Sequence, residues 1–410
     1  MNSLNIESEP EFRAWVAENS AADPSELRLK YSHRKGPIDY SFAITQIECR
    51  RRFGRKLAET LALDPGFIFP GTLAGEQCSS DLAAGFHTSL ALSLQPEKGT
   101  AIDLTAGLGI DAMHLARAGF RVTAVEQNPE TTAALVYNAG LLNIEVLCGD
   151  CINILRTLPD SLPCKPSNTP AFDIAFIDPA RRGTEGQRLF SLSDCHPDVV
   201  ALMPLLLRTA RHVIVKASPM LDITEVSRLI SPSHIYITGT ATECKEVVAV
   251  CGGPCGNPLI SAVMLGTETA AFTYDAESDR RLPLPALCTP EAGAYVCDPA
   301  PALLKAGAIR SVAHRYNLGM FDYNARLFCS TSVPDGFMGR VSRILEVVPY
   351  SSSNIKRLSR RYPKINVTAR NFGINAEQLS AKLKVRTGGD LRLYAVPSPS
   401  GPVMLICKED

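Results

Sequence analysis

The amino-acid sequence predicts an α/β protein built around a doubly wound, mainly parallel sheet. Three observations carry the prediction. From about Gly99 onward, short β-rich runs alternate with amphipathic helical stretches. The first of these runs ends in a glycine-rich turn, as a strand does where such a sheet binds its ligand. Of 410 residues, 45% are hydrophobic and 20% charged, enough to bury a large core and to divide into two or three domains; disorder is excluded as the main state.

Residues 1–95 read as a helical domain. EFRAWVAEN and IECRRRFGRKLAETLA place apolar residues three and four apart, and Asp64-Pro65-Gly66 is a stop. A sheet domain over 96–275 follows. TAIDLTA, RVTAVE, IEVLCGD, FDIAFID and HVIVKAS are its strands, and DAMHLARAGF, TTAALVYNAGLL and ALMPLLLRTA its covering helices. Such an order implies right-handed βαβ units with both faces of the sheet covered. HIYITGT and EVVAVCG are expected to close the sheet as antiparallel strands. Residues 276–339 read as a connecting segment, and 340–410 as a small basic C-terminal domain.

Lys plus Arg total 42 and Asp plus Glu total 42, so no global field draws the chain to nucleic acid or to an acidic membrane. Any such attraction is local. Residues 301–410 hold 17 basic against 7 acidic residues, and the neutral total requires the first 300 residues to carry the opposite excess. The bases concentrate at Lys356, Arg357, Arg360 and Arg361 and at Lys382 and Lys384, with Tyr362, Phe372 and Tyr394 interleaved. Clustered cations beside aromatics suit RNA, although a solvated helix face has the same composition. The start MNSLNIESEPEF carries acids where a signal peptide needs bases, and no stretch nears roughly eighteen uninterrupted apolar residues, so a cytoplasmic protein without a membrane partner is expected. Thirteen scattered cysteines read as reduced thiols. Neither the CxxC at Cys148 and Cys151 nor the CxxxC at Cys251 and Cys255 has a second ligand pair nearby, so no metal is expected.

The chemistry is written at the strand ends. Asp103, Thr105, Ala106, Gly107, Gly109 and Asp111 span the turn from the first strand into the first helix. Ala112 stands where the third glycine of a dinucleotide fingerprint falls, a replacement the fingerprint permits, so the glycines alone choose no cofactor. Glu126 ends the second strand, where a carboxylate can accept both ribose hydroxyl protons. Asp150 ends the third, where an acid can face an adenine amino group. Asp103 discriminates: it repels a pyrophosphate but suits the cationic amino and sulfonium groups of S-adenosylmethionine. For Asp103 or Asp111 taken singly, the plain alternative is an acid favoured by the dipole at a helix N-terminus.

DLTAGLGIDAMHLARAGFRVTAVEQNP resembles the S-adenosylmethionine motif of class I methyltransferases, and most closely that of a ribosomal RNA guanine-N2 methyltransferase family with an Asp-x-Thr-Ala-Gly-x-Gly-x-Asp signature. Along the whole chain, with LLKAGAIRSVA and ARNFGINAEQLSAKLKVRTGGDLRLYA in the tail, the motif order is similar to that of a bacterial family of THUMP-like class I methyltransferases. The resemblance implies a Rossmann-like methyltransferase domain, a helical N-terminal domain and a small α+β THUMP-like C-terminal domain. It implies donor contacts from Asp103, Thr105, Ala106, Gly107, Gly109, Asp111, Glu126 and Asp150, with the adjacent Gln127 and Cys151. EQCSSDLAAGFHT looks like the family's pre-domain motif, which brings Gln77, Ser79 and Ser80 to the pocket; the alternative for the serines is a helix cap.

Asp178-Pro179-Ala180-Arg181-Arg182 follows the fourth strand. Methyltransferases of exocyclic amines carry Asp or Asn, two prolines and an aromatic residue here, so that oxygens take the amine protons and aim the nitrogen lone pair; positioning is then most of the catalysis. Ala180 and Arg181 depart from that pattern. Arginines here can stack on a base or pair with phosphate, and equally suit an acidic small molecule. Lys216 and Ser218 end the next strand and are candidates for the acceptor pocket. Carbon methylation would demand a cysteine nucleophile, and the segment after that strand holds none. The favoured expectation is a methyltransferase acting on a base nitrogen of ribosomal or transfer RNA, with Asp178, Pro179, Arg181 and Arg182 at the reacting end. A methyltransferase for a small molecule or protein, and a non-catalytic donor-binding protein, are the alternatives.

Overall fold

The structure, a computed structural model, describes residues 10–140, 142–161, 170–181, 191–254, 256–266 and 270–409. The chain divides into two compact units, Met1–Pro232 with Ala249–Pro254, and Ser233–Val248 with Cys255–Asp410.

The first unit opens with helices whose ends the sequence marks. Asp23 and Asp39 cap Pro24–Tyr31 and Tyr40–Phe53, accepting from free backbone N–H groups of the first turn. Trp15, Tyr31 and Tyr40 meet ring to ring at 4.7–5.5 Å and pin the first three helices together. Ser80 caps the helix Asp81–Leu94, the last before the sheet.

The sheet strands of this unit are β1 (Thr100–Asp103), β2 (Arg121–Glu126), β3 (Ile144–Cys148), β4 (Phe172–Ile177) and β7 (Ala210–Ala217); between the last two lie the short β5 (Ala180–Arg181) and β6 (Cys195–His196). β1 pairs parallel with both β2 and β4, β2 with β3, and β4 with β7. Ala101 and Ile102 of β1 and Ile174, Ala175 and Ile177 of β4 are wholly buried, as strands covered on both faces must be. Burying each such isoleucine contributes about 1.5–3 kcal/mol. Because β1 is followed by β2 on one side and flanked by β4 on the other, the strand order reverses there, and the crevice opens at the carboxyl ends of β1 and β4.

Beyond β7 come β8 (His234–Gly239), β9 (Cys244–Cys251), β10 (Leu259–Met264) and β11 (Ala270–Asp275), and the nine-stranded order is β11-β10-β8-β9-β7-β4-β1-β2-β3. HIYITGT and EVVAVCG form β8 and β9, sheet neighbours joined by the turn 240–243, and so short a connection makes them antiparallel, as expected. Beyond them β8 pairs parallel with β10, and β11 reverses against β10 at the edge. Ile260, Ala262 and Val263 of β10 are buried, so this stretch carries core that the sequence reading left out.

The rest of the second unit is a seven-stranded sheet of β12 (Tyr295–Pro299), β13 (Gly319–Asp322), β14 (Leu327–Ser330), β15 (Gly339–Pro349), β16 (Asn366–Ala369), β17 (Leu391–Val396) and β18 (Val403–Glu409), in the order β13-β14-β12-β15-β18-β17-β16. Three of these strands lie in 276–339, so the stretch read as a connection is itself structured. Alternation divides the sheet: Tyr394, Val396, Leu405 and Cys407 enter one core, and Leu393, Ala395, Met404 and Ile406 the other, beneath helices Ser352–Arg361 and Ala376–Leu383. The second helix starts with a reciprocal capping box between Asn375 and Gln378.

Candidate active site

The chain leaves β1 at Asp103 and turns into the helix Ile110–Arg117. Gly107 and Gly109 adopt φ of 54° and 78°, the left-handed region that favours glycine. A Cβ at 109 would strike Leu135, whereas at 107 it would meet nothing within 4 Å, so the backbone there faces open space. The Gly107 N–H donates to Glu126 Oε2 at 2.9 Å and the Asn128 N–H to Oε1 at 2.7 Å. Two backbone donors thus fix the carboxylate at the end of β2 over the glycine turn, and each oxygen retains capacity for another donor.

Asp103 is 1% exposed and accepts from the Thr105 N–H at 3.2 Å. Burial first, then the charges of Asp111 and Asp178, push its carboxyl well above the usual carboxylate range. Asp111 goes the other way. Burial opposes its charge, but His87, Lys216 and Ser79 outweigh it and hold the carboxyl at about 2. His87 Nδ1 lies 2.7 Å from Asp111 Oδ1, and the Ser79 hydroxyl donates to Oδ2 at 2.5 Å.

At the ends of β4 and β7 the Asp178 N–H donates to Thr105 Oγ1 at 2.7 Å, tying the end of β4 to the glycine turn. Lys216, its side chain 14% exposed, pairs with Asp178 Oδ2 and donates to Ser79 Oγ at 3.2 Å. Pro179 is buried, and Ala180 and Arg181 pair with His196 and Cys195 across β5 and β6. The Arg181 side chain and Arg182 lie outside the described residues.

The other predicted residues are less central. The Ala106 N–H bonds to the Val125 carbonyl at 2.9 Å. Ser80 does what the cap alternative says, accepting from the Ala83 N–H. Asp150 caps the helix Cys151–Ser161 through one oxygen, at 3.0 Å from the N–H groups of both Ile152 and Asn153. Burial and the Asp150 charge raise the Cys151 thiol to about 11, which keeps it protonated at neutral pH. Gln77 and Gln127 are exposed. Ser218 Oγ accepts from the Met220 N–H at 3.3 Å in the turn after β7.

His87, Asp81 and His114 were missed by the sequence reading. Asp81 accepts from the N–H groups of Glu59 and Thr60 and from the Thr60 hydroxyl, and faces His114 Nε2 at 3.2 Å. A signal existed: His87 stands alone in the apolar run LAAGFHTSL, and a buried histidine needs a partner.

In the second unit Lys356, Arg357, Arg360 and Arg361 are exposed on Ser352–Arg361 and, with Ser353, line a depression of about 510 Å³. Arg357 and Arg361 each donate to Glu346 at 2.9 Å. Lys382 reaches Tyr350 OH at 3.4 Å, and Lys384 ends its helix in the left-handed conformation at φ 54°. Among the described residues no helix is long and apolar enough to cross a membrane, and no three His, Cys, Asp or Glu are placed to hold a metal ion.

Comparison with known proteins agrees with this arrangement. Residues 339–409 match the model of a THUMP domain-like family, and residues 295–337 that of a ferredoxin-like domain. A crystal structure from Porphyromonas gingivalis W83, assigned as a methyltransferase, superposes with a TM-score of 0.83 over 97% of both chains at 26% identity. An uncharacterized S-adenosylmethionine-dependent methyltransferase of Mycobacterium tuberculosis is 25% identical over 69% of this chain and 73% of its own. Ribosomal RNA small subunit methyltransferase J of Coxiella burnetii is 28% identical over 45% of this chain and 75% of its own. Fold and relatives together define a class I methyltransferase. The chain is an S-adenosylmethionine-dependent enzyme of that class with a THUMP-like C-terminal domain.

Proposed function

We propose that the enzyme methylates a base nitrogen in RNA, and that the notch between Asp103, Gly107 and Glu126 holds the donor. The open space at Gly107 fits an adenosine group laid against the backbone, the fixed Glu126 carboxylate fits ribose hydroxyls, and Asp103 fits a cationic amino acid moiety. The second oxygen of Asp150 is the candidate for the adenine amino group. When bound, S-adenosylmethionine supplies a methyl group already activated by its cationic sulfur, so the protein needs neither a strong base nor a nucleophile.

The observation that carries the acceptor assignment is Asp178. Its backbone is fastened to Thr105 of the donor turn and its carboxylate to Lys216. An oriented carboxylate beside the donor notch can take an N–H of the acceptor and aim the nitrogen lone pair, and the released proton passes to solvent. The exposed cations of Ser352–Arg361 supply non-specific phosphate attraction. The relative from Coxiella burnetii, whose name specifies ribosomal RNA of the small subunit, favours RNA over other acceptors.

The test is tritiated donor incubated with RNA from a strain lacking the gene, followed by nucleoside mass spectrometry. One labelled nucleoside, absent when Asp178→Ala replaces the wild type, is the expected result. Label confined to protein or to small metabolites overturns the RNA reading.

A further inference from the structure

Lysine is a flexible ammonium on a four-carbon stem, and at the open rim of a sheet it would extend into water unless held. Lys216 is held on two sides. The direction of four hydrogen bonds around it follows from valence and from the ionised state of Asp111. An ammonium only donates, so Ser79 Oγ accepts from Lys216 and spends its single proton on Asp111 Oδ2. Asp111, ionised with its carboxyl at about 2, only accepts, so His87 carries a proton on Nδ1. In the chain His87→Asp111←Ser79←Lys216→Asp178 every donor is therefore assigned, with donated protons converging on Asp111 and diverging from Lys216, and all five side chains belong to the first unit. Its inner members are shielded: His87, Ser79 and Asp111 are at most 8% exposed.

We propose that Lys216 is a positioning residue for the acceptor carboxylate, and that His87 sets its place through Asp111 and Ser79. The ammonium fixes the rotamer of Asp178 and holds one oxygen in place. A methyltransferase whose acceptor motif lacks the second proline and the aromatic residue thereby fixes its acidic side chain by a charge relay from the pre-domain helix. This rests on reading Asp178 as the acceptor-side carboxylate, whatever the acceptor.

The test compares Lys216→Met, Lys216→Arg, His87→Gln and the double variant Lys216→Met/His87→Gln. Removing one oriented polar partner predicts that Lys216→Met lowers kcat by about 100-fold, with donor Kd and RNA KM within about twofold. Lys216→Arg, which keeps the charge and the donors, should recover to within about tenfold of the wild type. His87→Gln should cost about tenfold alone and nothing further on top of Lys216→Met, because it acts through that lysine. Multiplicative losses in the double variant, donor affinity falling in step with kcat, or an unchanged kcat overturns the proposal. Should the wild type label no RNA, the acceptor reading fails by itself. The relay is then judged on the carboxyl carbon-13 resonance of Asp178, assigned by substitution, in the donor-free protein. Lys216→Met and His87→Gln must both displace it; a resonance that neither moves overturns the relay.

Discussion

Asp103 and Asp111 at the sheet rim are 1% and 8% exposed, whereas Lys356, Arg357, Arg360 and Arg361 of the second unit stand in solvent. Both are clusters of charge, but different variables control them. At the rim burial and neighbours a few ångströms away set each charge state: two acids eight residues apart in sequence have carboxyls displaced in opposite directions, because at Asp103 burial is reinforced by nearby acids, whereas at Asp111 burial is outweighed by His87, Lys216 and Ser79. On the helix the cations are screened by water and salt, and only their number and spacing matter. Proton concentration should therefore control the first region, and ionic strength the second.

The largest break in this contrast should come from filling the open space of the glycine turn. Gly107→Val places a branched side chain on a left-handed backbone and in the notch, and donor binding should weaken by more than about 100-fold in calorimetry. Next, Asp178→Ala should lower kcat by about 10²–10³-fold, with donor Kd unchanged. Asp103 then sharpens the pH side. Its folded carboxyl lies above the ordinary value of 3.8, so in the donor-free protein its contribution to stability is fully present below that value and is lost as pH rises through the folded pKa. A cationic donor prefers the ionised form, so donor affinity should climb with pH over that range, with proton release seen as buffer-dependent heat. Asp103→Asn should abolish this release and raise the neutral-pH Tm of the donor-free protein by about 2–4 °C for each kcal/mol recovered.

The smaller effects belong to the helix. Lys356→Glu with Arg360→Glu should weaken RNA binding at low salt and reduce the slope of log K against log salt by about 0.7–0.9 for each phosphate that is no longer neutralised. Arg361→Ala breaks a surface pair with Glu346 whose arginine is 59% exposed, and should change stability by less than about 1 kcal/mol.

Much of the rim was legible because its signals are local. The Asp103–Asp111 turn, Glu126 at the end of RVTAVE and the strand–helix alternation each occupy a short window of sequence. Lys216 and Ser79 were named singly but could not be joined, for they lie 137 positions apart, and nothing in either neighbourhood announces the other. His87 stood out as a lone histidine in an apolar run, but its partner could not be named, because Asp111 lies on another helix. The parallel pairing of β8 with β10 was missed because an apolar run states that a strand is buried and leaves its direction open. Ser80 and Asp150 each serve a second purpose, since a position near the motif also starts a helix and one side-chain oxygen is engaged by backbone.

Asp81 grips the first turn of Ala58–Leu63 and His114 while Ser79 and His87 partner Asp111, so the stretch before β1 is wired into the catalytic half. A shortened protein beginning at β1 would keep every glycine of the turn yet strand the Asp111 carboxylate in the interior without its companions. Trimming this enzyme to its nucleotide-binding core should therefore yield insoluble or inert material, and domain transplants should be cut upstream of Ala58.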